Sequence, residues 1–200
     1  MSDLFVKICG LRTEQDVDTA VAAGADAIGF VFAASPRRID AATARRLTQR
    51  VPAQVLTVGV FRGQSADEVQ RLTRESGIRA VQLHGDEGPE YYDALRAQGR
   101  TLIRATAATE VPTRCGELGE DLLLLDAPDP GSGKPWNWAS PKFTAPAGRW
   151  LLAGGLHPGN VRRAAEATSA WGVDVSSGVE SERGVKSQDL IRAFLEAAHE

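Results

Sequence analysis

Eight short β-type runs recur along this chain, and nearly every one is followed by a stretch that reads as a helix. The runs cover 5–9, 27–32, 55–61, 80–83, 101–105, 122–125, 150–153 and 173–175; the helix-type stretches cover 13–23, 41–50, 66–76, 89–98, 111–118, 161–171 and 187–199. Such alternation favours a parallel sheet covered by helices, because each crossover sends the chain back to start the next strand in the same direction. Eight units point to closure into a (β/α)8 TIM barrel, since open doubly wound sheets usually hold about five or six strands. The 200 residues leave about 25 per unit, near the minimum for a crossover, and form a single domain, 1–200. After Leu125 the rhythm loosens into a Gly/Pro-rich segment with room for one short helix near Trp138.

The punctuation agrees with these boundaries. Thr13 with Asp16 and Asp40 with Thr43 stand where N-caps and first turns belong. Gly24, Gly77, Gly99 and Gly172 follow helix-type stretches, where a left-handed residue is wanted. The composition, 42% hydrophobic and 24% charged, is that of a globular chain rather than a disordered one. A net charge of −3 leaves no electrostatic footprint for nucleic acid. No apolar run approaches the roughly 20 residues of a membrane span, and the N-terminus has no signal-peptide pattern. Two cysteines cannot make a disulfide framework and suit a reducing compartment. The expectation is a soluble cytoplasmic protein, with neither nucleic acid nor membrane as partner.

Strand parity sorts the polar residues. Alternate strand residues face a barrel's interior, and catalytic groups gather at the C-terminal strand ends. In the first run Val6 and Ile8 share one face, so Lys7 and Cys9 point inward. Cys9 reads either as a small buried hydrophobe or as a thiol activated by its neighbour. A lysine inside a barrel needs a partner, and Asp174, inward on the eighth run beside the first, is within reach. Lys7 would also favour the Cys9 thiolate. Asp126 ends an all-leucine run, as either a loop cap or a catalytic acid. Gln82 and His84 share the interior face of the fourth run, His84 as a binding group or a satisfied polar residue. Cys9 and Asp126 then face each other obliquely across the mouth, with room for a small sugar between them.

Gly154-Gly155 and Ser177-Gly178 follow the seventh and eighth runs, where such barrels hold a phosphate on backbone N–H groups. Arg37, in the loop after the second run, can meet a carboxylate through two parallel bonds. Gly131-Ser132-Gly133-Lys134 is no P-loop, because Pro128 and Pro135 occupy required positions. The His and Cys residues show no zinc spacing, so no metal is expected.

Taken together, Lys7-Ile8-Cys9-Gly10, Gly24-Ala25-Asp26-Ala27-Ile28-Gly29-Phe30, Ser35-Pro36-Arg37, Val81-Gln82-Leu83-His84-Gly85, Leu123-Leu124-Leu125-Asp126, Ala153-Gly154-Gly155-Leu156 and Gly172-Val173-Asp174-Val175-Ser176-Ser177-Gly178-Val179-Glu180 resemble the phosphoribosylanthranilate isomerase family of tryptophan biosynthesis. The resemblance implies a cofactor-free Amadori rearrangement of N-(5-phosphoribosyl)anthranilate to 1-(2-carboxyphenylamino)-1-deoxyribulose 5-phosphate. It makes Asp126 the acid and Cys9 the base. Arg37, His84, Lys7 and Asp174 are implied as substrate-binding residues, with Gly133, Gly154, Gly155, Ser177 and Gly178 at the phosphate. The expected partner is a small phosphoribosyl substrate, and the expected state a monomer or weak homodimer. Two other readings are a related aminoaldose isomerase of histidine biosynthesis, whose first strand usually ends in Asp rather than Cys, and a non-catalytic phosphosugar-binding barrel. The loop Pro130-Gly131-Ser132-Gly133-Lys134-Pro135-Trp136-Asn137-Trp138 departs from the family's Gly-Gly-Thr-Gly-x-x-Phe-Asp-Trp, and a stiffer, less complete cover is expected from it.

Overall fold

The helices begin where a short polar side chain can take over the free N–H groups of a first turn. The computed structural model of the chain describes residues 4–85, 87–108, 114–127 and 143–200. Thr13 and Asp16 form a reciprocal capping box at helix α1 (Glu14–Ala22). Asp40 accepts from the Thr43 N–H at 2.7 Å at α2 (Ala41–Thr48). Ser65 and Ser187 do the same for α3 (Ala66–Ser76) and, at the C-terminus, α6 (Gln188–His199). Between these lie α4 (Pro89–Arg96), with proline in its first turn, and α5 (Val161–Thr168).

Strands β1 (Phe5–Cys9), β2 (Ala27–Val31), β3 (Leu56–Phe61), β4 (Ala80–Leu83), β5 (Thr101–Ala107), β6 (Leu122–Asp126), β7 (Trp150–Leu152) and β8 (Gly172–Val175) pair in sequence order, all parallel, and β8 closes onto β1. The TIM barrel read from the alternation is therefore present. Parity divides the apolar residues into two layers. Val6, Ile8, Ile28, Phe30, Leu123, Leu125, Val173 and Val175 face the helices and pack with residues such as Val17, Leu47 and Leu195. Ala27, Val58, Ala80, Ile103, Leu122, Leu124 and Leu151 fill the barrel itself, against Phe5, Leu56 and Trp171. Above them Cys9, Val31, Ala33 and Val60 form a third apolar group.

Three local expectations change. The stretch 114–118, the described part of the proposed helix at 111–118, is turn: Gly116 and Gly119 take φ of 96° and 84°, which breaks a helix. Gly172 is no helix cap, since α5 ends on Ser169 in the left-handed region (φ 53°). Gly172 opens β8 instead, where a Cβ would stand 2.5 Å from the Phe5 carbonyl oxygen. A small hairpin, β9 (Glu180–Glu182) and β10 (Val185–Lys186), follows β8 and was not anticipated. Its few residues are too polar and too short to show alternation. The short helix proposed near Trp138 lies outside the described residues.

Candidate active site

The register of β1 against β8 sets Lys7 opposite Asp174. Both point inward as parity requires, and Lys7 Nζ donates to Asp174 Oδ1 at 2.6 Å with no exposure of the lysine side chain. The Lys7 ammonium and the Cys9 thiol also interact electrostatically. Burial pulls the Lys7 pKa down, but Asp174 and Cys9 more than offset this and the ammonium is held above its ordinary value. Cys9 departs from the reading made from sequence. Lys7 and Lys186 do favour its thiolate, yet burial outweighs them and the thiol titrates above its usual range. Gly29, opposite Cys9 on β2, makes room for the sulfur: a Cβ there would lie 2.7 Å from Sγ.

Asp126 ends β6 with Oδ1 accepting the Ala127 N–H at 2.7 Å. Its Oδ2 stands 3.7 Å from His84 Nε2, too long for a hydrogen bond. Burial drives the carboxyl up to about 6, against the single Ala127 N–H and with help from nearby Asp174. His84 is pushed the other way by burial and by Arg62, so its imidazole is neutral at pH 7. Its buried Nε2 has no hydrogen-bond partner among the described residues, nor does Gln82 Oε1. Two inward polar atoms at the mouth are thus unsatisfied, as a site awaiting a polar ligand would have them.

Asp126 and Asp174 border one pocket with Gly154, Gly155, Ser176, Ser177 and Gly178. Gly154 and Gly155 have positive φ, 87° and 68°. A Cβ on Gly178 would fall 1.8 Å from the Leu156 carbonyl oxygen, so only glycine lets the loops after β7 and β8 lie against each other. Buried Asn160, missed in the sequence, holds the first of these loops: Oδ1 accepts from the His157 N–H at 2.8 Å and Nδ2 donates to the Gly155 carbonyl at 3.0 Å. Gly133, the remaining proposed phosphate contact, and the atypical loop around it lie outside the described residues.

Arg37 reaches the same mouth but meets a carboxylate of its own chain. Nε and one terminal nitrogen donate to Glu180 Oε1 and Oε2 at 2.6 and 2.9 Å. Lys186 Nζ donates to Glu180 Oε1 at 2.9 Å and to the Ser176 carbonyl at 2.7 Å. Glu180 closes the last of the family-like stretches with no role assigned to it there, and Lys186 lies outside all of them. Both stand among exposed polar residues, and nothing in their spacing marks them as buried.

The assembled groups are a carboxyl whose pKa is raised to about 6, a buried thiol beside two ammonium groups, and a glycine-walled pocket. They suit proton transfer on a small phosphorylated substrate. The family model described as N-(5'-phosphoribosyl)anthranilate (PRA) isomerase matches residues 6–197. An N-(5'-phosphoribosyl)anthranilate isomerase of Desulforudis audaxviator is 43% identical, with 98% of each chain covered. The crystal structure of TrpF from Jonesia denitrificans superposes with a TM-score of 0.88 at 43% identity, covering 98% of this chain and 96% of that one. A phosphoribosyl anthranilate isomerase in complex with reduced 1-(o-carboxyphenylamino)-1-deoxyribulose 5-phosphate gives 0.81 at 33%, with 98% of both chains covered. This chain belongs to the N-(5'-phosphoribosyl)anthranilate isomerase family, whose members catalyse a step of tryptophan biosynthesis.

Proposed function

We propose that this isomerase carries out its Amadori rearrangement with Asp126 as general acid and Cys9 as general base. The reaction needs a proton delivered to the ribose ring oxygen, opening the ring to a Schiff base, and a proton removed from C2 to give the enolamine. Asp126 donates the first proton and leaves as carboxylate. The Cys9 thiolate takes the second and leaves as thiol. Transfer of the C2 electrons towards the nitrogen then yields the enolamine, which tautomerises to the aminoketose. The observation that carries this reading is Asp126: a carboxyl pushed up to about 6 by burial, on the wall of the pocket that the Gly154-Gly155 and Ser177-Gly178 turns also line.

The other residues follow from that assignment. Lys7, held by Asp174, stabilises the thiolate while Cys9 acts. Neutral His84 offers an acceptor to the substrate or to the protonated Asp126. Arg37 meets the ring carboxylate, and the glycine turns take the phosphate through backbone N–H groups. The solved complex of a relative with a reduced product supports a ligand carrying both anionic ends. We place the enzyme in the cytoplasm and read it as a monomer or weak homodimer, since among the described residues the one large hydrophobic side chain that is well exposed is Val185.

Loss of substrate fluorescence on isomerisation provides the test. Cys9→Ser and Asp126→Asn are each expected to lower kcat by about 10²–10⁴-fold with circular dichroism unchanged. Turnover at the wild-type rate in either variant removes that residue from the mechanism.

A further inference from the structure

We infer that Glu180 and Lys186 are positioning residues that select which edge of Arg37 meets the substrate carboxylate, and so set the enzyme's preference for a carboxylated aryl group. The inference rests on the reading of Arg37 as the carboxylate clamp.

A guanidinium has two edges able to grip a carboxylate with two parallel bonds: the side formed by Nε and one terminal nitrogen, and the end formed by the two terminal nitrogens. Glu180 occupies the side edge, at 2.6 and 2.9 Å. Among the described residues the end edge meets no other acceptor, and it is the edge assigned to the ligand. The Arg37 stem lies against Gly10, where a Cβ would stand 2.7 Å from Arg37 Cδ, and the two bonds to Glu180 set which edge is turned to the carboxylate. Gly10 directly follows Cys9, so the arginine stem passes beside the strand end that carries the base.

Glu180 is held as firmly as it holds. Its Oε1 also accepts from Lys186 Nζ at 2.9 Å, and its Oε2 from the Gly184 N–H at 2.9 Å. Four donors thus occupy one carboxylate whose side chain is 4% exposed. Lys186, 1% exposed, binds back to the Ser176 carbonyl, and the Ser176 hydroxyl donates to the Cys9 carbonyl at 3.1 Å. The hairpin therefore ties Arg37 to the strand that carries the thiol. Its charges also have a sign consequence. Arg37, Glu180 and Lys186 together carry one net positive charge, so Lys186 restores the attraction for an anion that Glu180 by itself would cancel. A pre-oriented planar donor pair binds a planar carboxylate without the ordering cost of a free arginine.

The probes are reduced 1-(o-carboxyphenylamino)-1-deoxyribulose 5-phosphate and the same molecule without its ring carboxylate, titrated calorimetrically into wild type, Glu180→Gln and Lys186→Met. The quantity read is the carboxylate advantage, the ratio of the two Kd values. Wild type is expected to favour the carboxylated ligand, and both variants to cut that advantage, Glu180→Gln by about tenfold. The sign separates positioning from bulk charge. Removing the Glu180 charge makes the site more positive, so an advantage that grows in Glu180→Gln would show a mere counter-charge and overturn the inference. Equal losses on both ligands assign Glu180 and Lys186 to holding the hairpin together, and also overturn it. If Glu180→Gln fails to fold by circular dichroism, Glu180→Asp decides by the same ratio: it keeps the charge but draws the carboxylate back from Arg37, so a cut advantage supports positioning and an unchanged one overturns it. Absence of any advantage in wild type removes the clamp reading of Arg37 itself, a different failure from an advantage that both variants keep.

Discussion

Two carboxyl groups at the barrel mouth, Asp126 and Glu180, are both largely buried, yet their pKa values are driven in opposite directions. Asp126 is the more exposed, at 13% of its side chain against 4% for Glu180, yet it is the one pushed up to about 6. Burial drives Glu180 up as well, but the Arg37 and Gly184 donors and the Lys186 ammonium overcome it and bring the group down to about 2. Asp126 has one backbone N–H from Ala127 to set against desolvation. Donor supply, not depth, decides which carboxyl can act as an acid and which can only serve as a fixed anion.

The strongest way to break this contrast is to take the cation from a third carboxylate. Lys7→Met leaves Asp174 facing the interior without its 2.6 Å partner. Removing one member of a buried ion pair costs about 3–5 kcal/mol, read as a shift in urea midpoint. A loss below about 1 kcal/mol would mean that Asp174 finds its donors elsewhere.

The rate-pH profile sharpens the same contrast. Activity needs Asp126 protonated and Cys9 ionised at once. Between the Asp126 value of about 6 and the raised value of Cys9, each pH unit removes acid and adds thiolate in equal proportion. There kcat/KM is expected to be flat. Below about pH 6 it falls about tenfold per unit, because thiolate is lost with no further gain in acid; above the Cys9 value it falls again as acid is lost. A limb near pH 4 in place of 6 would show that Asp126 is solvated as an ordinary carboxyl.

The smallest effect belongs to a look-alike in water. Arg50 grips Asp18 with two bonds, 2.8 and 2.5 Å, much as Arg37 grips Glu180, but its side chain is 38% exposed. Water and salt screen such a pair. Arg50→Ala is expected to leave Tm indistinguishable from wild type, and a clear drop would show that the geometry stabilises without burial.

Period-2 and helical patterning were enough to specify the barrel, because each strand and helix is a local run whose faces alternate along the chain itself. The same parity, with the closure of β8 on β1, paired Lys7 with Asp174 although 167 positions separate them. The motif stretches carried the family, and Cys9, Asp126 and the glycine turns stand at the strand ends where barrel chemistry belongs. Burial strength was not legible. Whether Cys9 rises or falls depends on how much apolar packing surrounds it relative to two ammonium groups, and that balance exists only when distant strands meet. The Glu180 grip on Arg37 was hidden for the same reason. Arg37 lies 143 residues away in a loop, the hairpin that carries Glu180 is too short to show periodicity, and only the folded chain makes their chemistry one site.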